Sequence, residues 1–286
     1  MANAETRFSR VSRPAPEREG CEGGGTPVIA ECIGLTKLFG GVRAVSHLSF
    51  KVDEGEILGL IGPNGAGKTT VFNLLTGFYR PTSGSMLFRG RDLAGLAPPA
   101  IVGLGIARTF QNIRLFSNLT VLDNVRSVLY RHAPYGFAQA LIRSPRVRRD
   151  ERRVREKALE YLEEVGLAGR AYDRASHLPY GLQRKLELAR ALALEPVLLL
   201  LDEPAAGMNP EESMSLVGLI DHLRRKHNLT IILIEHHMDV VMSLSHRIVV
   251  MNFGEKLMEG SPEEVQTDVR VIEAYLGEEY ASAYRR

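Results

Sequence analysis

A glycine-rich segment at residues 62–69 has the residue types and spacing of a phosphate-binding loop. It fits the pattern G-x-x-x-x-G-K-[ST] and lies between an apolar run and a predicted helix at 69–75. Glycines let backbone N–H groups converge on phosphate oxygens, and the start of the helix adds partial positive charge. Lys68 could reach β- and γ-phosphates, and the Thr69 hydroxyl could ligate Mg²⁺. The predicted phosphate-binding residues are Gly62, Pro63, Asn64, Gly65, Ala66, Gly67, Lys68, Thr69 and Thr70.

An acidic pair, Asp202 and Glu203, follows four leucines at 198–201. Such a run predicts a buried strand, and open α/β sheets bind ligands at the C-terminal edge of their strands. Asp202 could bind Mg²⁺, and Glu203 could orient and deprotonate an attacking water. The pair alone is weak evidence, but downstream of a phosphate loop it indicates a nucleotide hydrolase. A kinase is disfavoured because Glu203 beside a metal carboxylate suits activation of water.

Two further polar residues follow predicted strands. His236 comes after a strand predicted at 230–235, where it could sense a γ-phosphate, and Gln111 follows the strand-like residues 106–110. Without further evidence, the favoured interpretation of His236 is a surface residue, since His237 lies beside it. The favoured interpretation of Gln111 is an ordinary loop residue. Their interest comes from a family resemblance.

The elements that would position these residues alternate in a way typical of an α/β fold. Strands are predicted at 48–52, 56–61, 86–88, 197–201, 230–234 and 247–251, and helices at 69–75, 183–194 and 211–226. The early strands and tight turns predict a small antiparallel layer, with residues 86–88 as one arm of a hairpin. The later alternation predicts a core with a parallel sheet. Residues 120–178 form a helix-rich stretch with few strand signals.

Composition limits the class of protein. The 286 residues are 44% hydrophobic and 24% charged, which suits one large folded domain or two small ones. A net charge of +2 gives no sign of a protein coated by nucleic acid. The absence of any run of about 18 apolar residues excludes a spanning helix, but a peripheral place on membrane proteins stays open. Cys21 and Cys32 are the only cysteines and form no C-x-x-C pair, so a disulfide scaffold is disfavoured.

Two segments have biased composition. Residues 1–27 mix arginines and glutamates with prolines and a Gly-Gly-Gly run, which predicts a disordered tail and not a secretory signal. Residues 143–157 contain eight basic and three acidic residues. This basic run could contact anionic lipid or nucleic acid, but no aromatic residues are interleaved with it. A solvated helix face is therefore favoured.

Together, the motifs resemble those of ATP-binding subunits of ABC transporters over about residues 28–277. The resemblance implies an α/β fold with a P-loop NTPase core, a parallel sheet, an N-terminal antiparallel β layer and an inserted helical subdomain at about 112–180. It implies tails at 1–27 and 278–286, and binding of ATP and Mg²⁺ with ATP hydrolysis. In this family, two such subunits sandwich ATP between them.

The same resemblance assigns roles to individual residues. Phe39 would stack on adenine, while Thr69, Gln111 and Asp202 would contact Mg²⁺. Gln111 would also couple to membrane subunits. Glu203 would be the catalytic glutamate and His236 the switch histidine. Residues 206–209 would form a loop at the dimer contact, where asparagine replaces the usual aspartate.

The signature segment departs from the family's usual L-S-G-G-Q form, since residues 178–182 read L-P-Y-G-L. In the family, this segment caps the γ-phosphate bound by the opposite subunit. Pro179 offers neither a hydroxyl nor an N–H, which puts the serine contact in doubt. Gly181 and the N-terminus of a helix expected to begin near Leu182 would retain the electrostatic cap. An ordinary helix start remains the alternative.

Finer details are similar to the LivG-type subfamily of branched-chain amino acid importers, namely residues 108–116, 202–210, the Tyr180-Gly181 pair and residues 274–278. This implies membrane permease subunits, a second ATPase subunit in a homo- or heterodimer, and indirectly a periplasmic amino-acid-binding protein, without nucleic acid. The expected location is peripheral, at the cytoplasmic face of the inner membrane. Alternatives are the ATPase of a lipid or lipopolysaccharide extraction system and a soluble non-transport ABC protein.

Overall fold

The computed structural model describes residues 26–130 and 145–276. Nearly all of the predicted tails at 1–27 and 278–286 lie outside these ranges, as do Cys21 and residues 131–144 of the predicted helical insert. Cys32 is a buried free thiol whose pKa is raised to about 12 by burial and, to a smaller extent, by Glu31.

The described residues form ten strands and nine helices. The strands are β1 (Val28–Phe39), β2 (Val42–Asp53), β3 (Ile57–Ile61), β4 (Ser83–Phe88), β5 (Arg91–Asp92), β6 (Ile106–Arg108), β7 (Leu198–Asp202), β8 (Thr230–Ile234), β9 (Arg247–Asn252) and β10 (Glu255–Gly260). The helices are α1 (Lys68–Leu75), α2 (Pro98–Leu104), α3 (Val121–Leu129), α4 (Pro145–Glu164), α5 (Tyr180–Leu192), α6 (Pro210–His227), α7 (Met238–Leu244), α8 (Pro262–Thr267) and α9 (Val269–Leu276).

The first sheet is the antiparallel layer, with strand order β2-β1-β4-β5. In β2, Leu48, Phe50 and Val52 are buried and alternate with exposed Ser49 and Lys51, as expected for a sheet with one face on the core. The predicted hairpin arm at 86–88 is confirmed, because β4 pairs with β5.

The second sheet has six strands in the order β10-β9-β3-β8-β7-β6. Strands β9, β3, β8, β7 and β6 are parallel, and β10 pairs with β9 in the antiparallel direction. Every residue of β3, β7 and β8 is buried, which explains their continuous apolar sequences. The predicted α/β fold is confirmed, and the loops after β3, β6, β7 and β8 leave the sheet at one edge.

The helix α4 contains most of the basic run. Its buried residues include Val154, Ala158 and Leu162, spaced four apart on one face, while Arg152 and Arg155 are exposed. The basic residues of the run from Arg148 to Lys157 are exposed, which agrees with a solvated helix face. Among the described residues, no helix combines the length and the apolar content required to cross a bilayer.

Two predicted boundaries beside the site differ from the structure. Strand β6 ends at Arg108 and not at 110, because the N–H of Phe110 donates to the Glu187 carboxylate at 3.2 Å. Helix α5 begins at Tyr180 and not near 182, because the Pro179 carbonyl accepts the N–H groups of Leu182 and Gln183.

Candidate functional site

The phosphate loop connects β3 to α1 in a conformation that glycine makes possible. Gly62 has φ 150° and Gly67 has φ 101°, and a Cβ atom at these positions would lie 2.1 Å from the Met251 carbonyl oxygen and 2.3 Å from the Ala44 carbonyl oxygen, respectively. Main chain therefore approaches the loop too closely for any side chain at either position. The spacing of the motif's glycines reflects this packing as well as access for phosphate.

Lys68 lies at the start of α1 and is buried. Its Nζ donates hydrogen bonds to the carbonyl oxygens of Gly62 at 2.7 Å and Pro63 at 2.9 Å. Burial lowers the pKa of the Lys68 ammonium, and the nearby carboxylates of Glu203 and Asp202 oppose this shift. These contacts hold a cation directly above the loop.

Residues far apart in the sequence meet beside this loop. They line a cavity of about 310 Å³ formed by Ala44, Asn64, Gly65, Gly67, Lys68, Thr69, Thr70, Gln111, Glu203 and His236. The cavity thus brings the predicted phosphate loop, glutamine, glutamate and histidine together.

Glu203 is the centre of a short hydrogen-bonded chain in this cavity. Gln111 Nε2 donates to its Oε2 at 2.8 Å, and His236 Nε2 lies 2.9 Å from its Oε1. The Glu203 N–H donates to the Ile234 carbonyl at 2.8 Å, and its backbone has the left-handed φ of 48°. Such strain is typical of functional turns, and here it holds a carboxylate between an amide and an imidazole.

Asp202 forms a buried ion pair that the sequence reasoning missed. Arg108 Nη2 lies 2.7 Å from Asp202 Oδ2, and the two side chains are 6% and 2% exposed. Burial raises the pKa of the Asp202 carboxyl, and the Arg108 guanidinium opposes this shift. A cation at the end of a strand beside the Gln111 segment is the signal that could have suggested this pair.

The other Asp202 oxygen supports the predicted magnesium site. Oδ1 is buried and has no hydrogen-bond partner among the described residues, so it is an oxygen ligand of the kind that Mg²⁺ prefers. Asp202, Thr69 and Gln111 line a common cavity of about 300 Å³, adjoining the first. The described residues contain no group of three or more His, Cys, Asp or Glu that could hold a metal.

The structure does not bring Phe39 into the cavity of the phosphate loop. Its ring lies at the end of β1, 40% exposed, with its centroid 5.0 Å from that of Tyr79 in an edge-to-face contact. Lys37 Nζ lies 4.9 Å from the centre of the same ring. Stacking of Phe39 on adenine stays a prediction.

Gly181 also lies away from that cavity, in the first turn of α5. A Cβ at Gly181 would lie 3.5 Å from Glu212 Oε1, and one at Gly207 would lie 3.2 Å from the Tyr180 ring. The signature segment therefore packs against Gly207, Met208 and Glu212 of its own chain. No residue of 178–182 lines the phosphate-loop cavity.

Arg184 joins the signature helix to the Gln111 segment, and the sequence reasoning did not single it out for this. It is 4% exposed and donates to the carbonyl oxygens of Phe110 at 2.8 Å and Gln111 at 2.6 Å. It also donates to the Tyr180 hydroxyl at 2.9 Å and pairs with Glu187 at 3.3 Å. No local pattern predicts these contacts, because their partners are 73 and 74 residues away in the sequence.

A phosphate loop, an acidic pair and a histidine at one edge of a parallel sheet define a P-loop nucleotide hydrolase. The finer class follows from comparison with known proteins. Residues 45–206 match the family described as "ABC transporter", and residues 255–281 match that described as "Branched-chain amino acid ATP-binding cassette transporter". The chain belongs to the ABC transporter ATP-binding family, whose members bind and hydrolyse ATP.

Similar proteins cover most of the chain. It is 48% identical to the high-affinity branched-chain amino acid transport ATP-binding protein BraF of Pseudomonas aeruginosa, over 87% of this chain and 98% of that protein. It is 47% identical to LivG of Escherichia coli, over 86% of this chain and 96% of LivG. A crystal structure of the ADP conformation of MJ1267, an ATP-binding cassette of an ABC transporter, has a TM-score of 0.77 at 31% identity, covering 88% of this chain and 100% of that one.

Proposed function

We propose that this chain is the ATP-hydrolysing subunit that energises an importer of branched-chain amino acids, with leucine, isoleucine and valine as cargo. The similarity to BraF, together with the match at residues 255–281, carries this proposal. The similarity favours neither the lipid-extraction nor the non-transport alternative. Identity of 48% over nearly the full length of the relative supports a common cargo class as well as a common fold.

The phosphate loop supplies the binding part of the proposed mechanism. Backbone N–H groups of residues 64–70 hold phosphate oxygens, and Lys68 places its charge on the β- and γ-phosphates. Thr69, Gln111 and Asp202 would hold Mg²⁺, which would neutralise charge on the phosphate oxygens. Phe39 stacks on the adenine ring.

Glu203 and His236 supply the catalytic part. The Glu203 carboxylate orients a water and accepts its proton as the water attacks the γ-phosphate. Gln111 and His236 hold the two oxygens of Glu203, which restricts the carboxylate to one orientation. His236 also senses whether the γ-phosphate is present.

We further propose that two ATPase subunits work face to face. Gly181 and the N-terminus of α5 would cap the nucleotide of the opposite subunit, which fits their distance from the chain's own phosphate loop. Permease subunits and a periplasmic amino-acid-binding protein would complete the importer. This chain would lie peripherally at the cytoplasmic face of the inner membrane, with residues 28–277 as the ATPase domain and a helical subdomain at 112–180.

Co-purification and transport test this function. The chain is isolated with its partners from solubilised membranes and reconstituted in vesicles, with ATP supplied on the side of the membrane where this chain lies. Uptake of labelled leucine is then measured, with methionine as the comparison cargo. We expect permeases to co-purify and leucine uptake to require ATP. The matched Glu203→Gln complex should assemble but not transport. ATP-driven uptake of methionine without leucine, or co-purification without permeases, would contradict the proposal.

A further inference from the structure

Glu235 is a buried carboxylate to which the proposed mechanism gives no role. It follows β8, directly before His236, and is 1% exposed. Its Oε1 accepts the N–H of Ala205 at 2.7 Å. Its Oε2 accepts the N–H of His236 at 2.9 Å and the N–H of His237 at 3.3 Å. Each oxygen therefore serves a different loop.

Backbone N–H groups provide most of the stabilisation for this buried charge. Within the described ranges, the only basic side chain in contact with Glu235 is that of His237, which is 52% exposed and whose Nδ1 lies 3.5 Å from Oε2. A buried carboxylate is costly unless its oxygens are hydrogen-bonded, so the three N–H donors offset its desolvation. A need for apolar packing alone would not explain a glutamate at this position, because an apolar side chain would fill it at lower cost.

The two loops that Glu235 joins have different contacts. The loop at 236–237 carries the imidazole that lies 2.9 Å from the Glu203 carboxylate. The loop at 205–209 approaches the signature segment, because a Cβ at Gly207 would lie 3.2 Å from the Tyr180 ring. Glu235 thus lies between the catalytic pair and the face that carries the signature.

We propose that Glu235 is a positioning residue for ATP hydrolysis. It fixes the loop of His236 relative to the loop at 205–209, so that His236 meets Glu203 correctly. This inference rests on the roles proposed for Glu203 and His236.

Replacement of Glu235 by glutamine tests the proposal. Gln retains the shape, but its NH₂ group cannot accept a hydrogen bond, so one loop loses its acceptor. We expect kcat for ATP hydrolysis to fall about tenfold or more, with KM for ATP unchanged. The matched control is Glu264→Gln, since Glu264 is exposed and also accepts a backbone N–H, that of Ser261 at 2.7 Å. This control should retain full activity.

A double-mutant cycle with His236→Ala separates positioning from general stability. If Glu235 acts through His236, adding Glu235→Gln to His236→Ala should reduce the residual turnover little further. Residual turnover is followed with labelled ATP, and ATP affinity is measured on the same proteins. Independent losses that multiply, or a raised KM with unchanged kcat, would overturn the proposal.

The single variants distinguish a failure of the proposed catalytic site from a failure of the role proposed for Glu235. Full turnover by His236→Ala would contradict the proposed catalytic site itself. Full turnover by Glu235→Gln beside a defective His236→Ala would contradict only the role of Glu235. Glu235→Asp, which is too short to serve both loops, should show the same kcat defect. If neither Glu235 variant folds, as judged by thermal melting, the residue is needed for the fold and the proposal is overturned.

Discussion

Substitutions of single residues in the phosphate site should affect ATP binding and ATP hydrolysis separately. Lys68→Ala removes a buried ammonium, so ATP affinity should fall by about ten- to a hundredfold, the usual range for a charge-assisted hydrogen bond. Glu203→Gln keeps the shape of the side chain but cannot accept a proton, so ATP binding should persist while hydrolysis becomes severely slow and an ATP-bound dimer accumulates. Titration calorimetry and phosphate release measure the two properties. An equal loss of affinity in both variants would contradict this division of roles.

The Arg108–Asp202 ion pair predicts a large effect on stability. Arg108→Ala leaves Asp202 buried without its counter-charge, so the free energy of unfolding should fall by about 3–5 kcal/mol in urea titrations. Arg89 is a suitable control, because its pair with Glu54 at 3.5 Å is exposed. Arg89→Ala should change stability by less than about 1 kcal/mol. Similar small effects for both variants would show that the buried pair is not maintained in solution.

At the scale of elements, the turn from β3 to α1 depends on main-chain contact as much as on backbone conformation. Gly62→Ala places a Cβ 2.1 Å from a carbonyl oxygen, whereas Gly65 has φ 82° but open space around it. Gly65→Ala should cost about 1–2 kcal/mol through its left-handed φ alone. Gly62→Ala should cost more and should also abolish ATP binding, as measured by thermal melting with and without nucleotide. Equal costs would mean that the main chain moves away from residue 62 easily.

At the start of α5, the substitution Pro179→Ser should affect both the stability of the single chain and its dimerisation. Pro179 is the N-cap residue of this helix and offers no side-chain cap. Pro179→Ser should stabilise the single chain by about 1 kcal/mol, because serine accepts an N–H of the first turn. If the cap also works across a dimer, the hydroxyl should strengthen ATP-dependent dimerisation by about 1.5–3 kcal/mol at best. The ATP affinity of the monomer should not change.

Dimerisation of the Glu203→Gln protein with and without Pro179→Ser distinguishes these effects, alone and with a paralogous partner subunit. A higher melting temperature without tighter dimerisation in either setting would show that the hydroxyl caps only its own helix. A change in the ATP affinity of the monomer would show that Pro179 lies beside the nucleotide of its own chain and not beside that of the partner subunit.

At the scale of the whole molecule, the sequence predicts that the N-terminal tail is dispensable. The first described contact is between the Pro27 carbonyl and the N–H of Glu54, at 2.8 Å. A chain that begins at Thr26 keeps this contact and should melt within error of the full chain, because residues 1–25 have too few apolar residues to form a core. A chain that begins at Glu31 lacks the buried Ile29 and should melt lower. A large loss in the Thr26 chain would show that the tail packs.

The sequence alone was sufficient for elements whose signals are local. The pattern of residues 62–69 and the leucines before Asp202 each specify a structure through neighbouring residues. Burial on both faces explains why β7 and β8 could be predicted from apolar runs. The end of β6 and the start of α5 could not be predicted in this way. The Glu187 carboxylate accepts the Phe110 N–H, and the Pro179 carbonyl accepts the N–H groups of Leu182 and Gln183.

Only the tertiary structure showed how the site is held together. Arg108 meets Asp202 across 94 residues, Arg184 meets the Gln111 carbonyl across 73, and Glu235 meets Ala205 across 30. No spacing rule in one sequence specifies such pairs, since they depend on strand order and on loops that leave the sheet at a common edge. The residues that could act on a nucleotide could be predicted from local sequence patterns. The residues that fix their orientation could be identified only from the structure, because the sheet brings together loops that are far apart in the sequence.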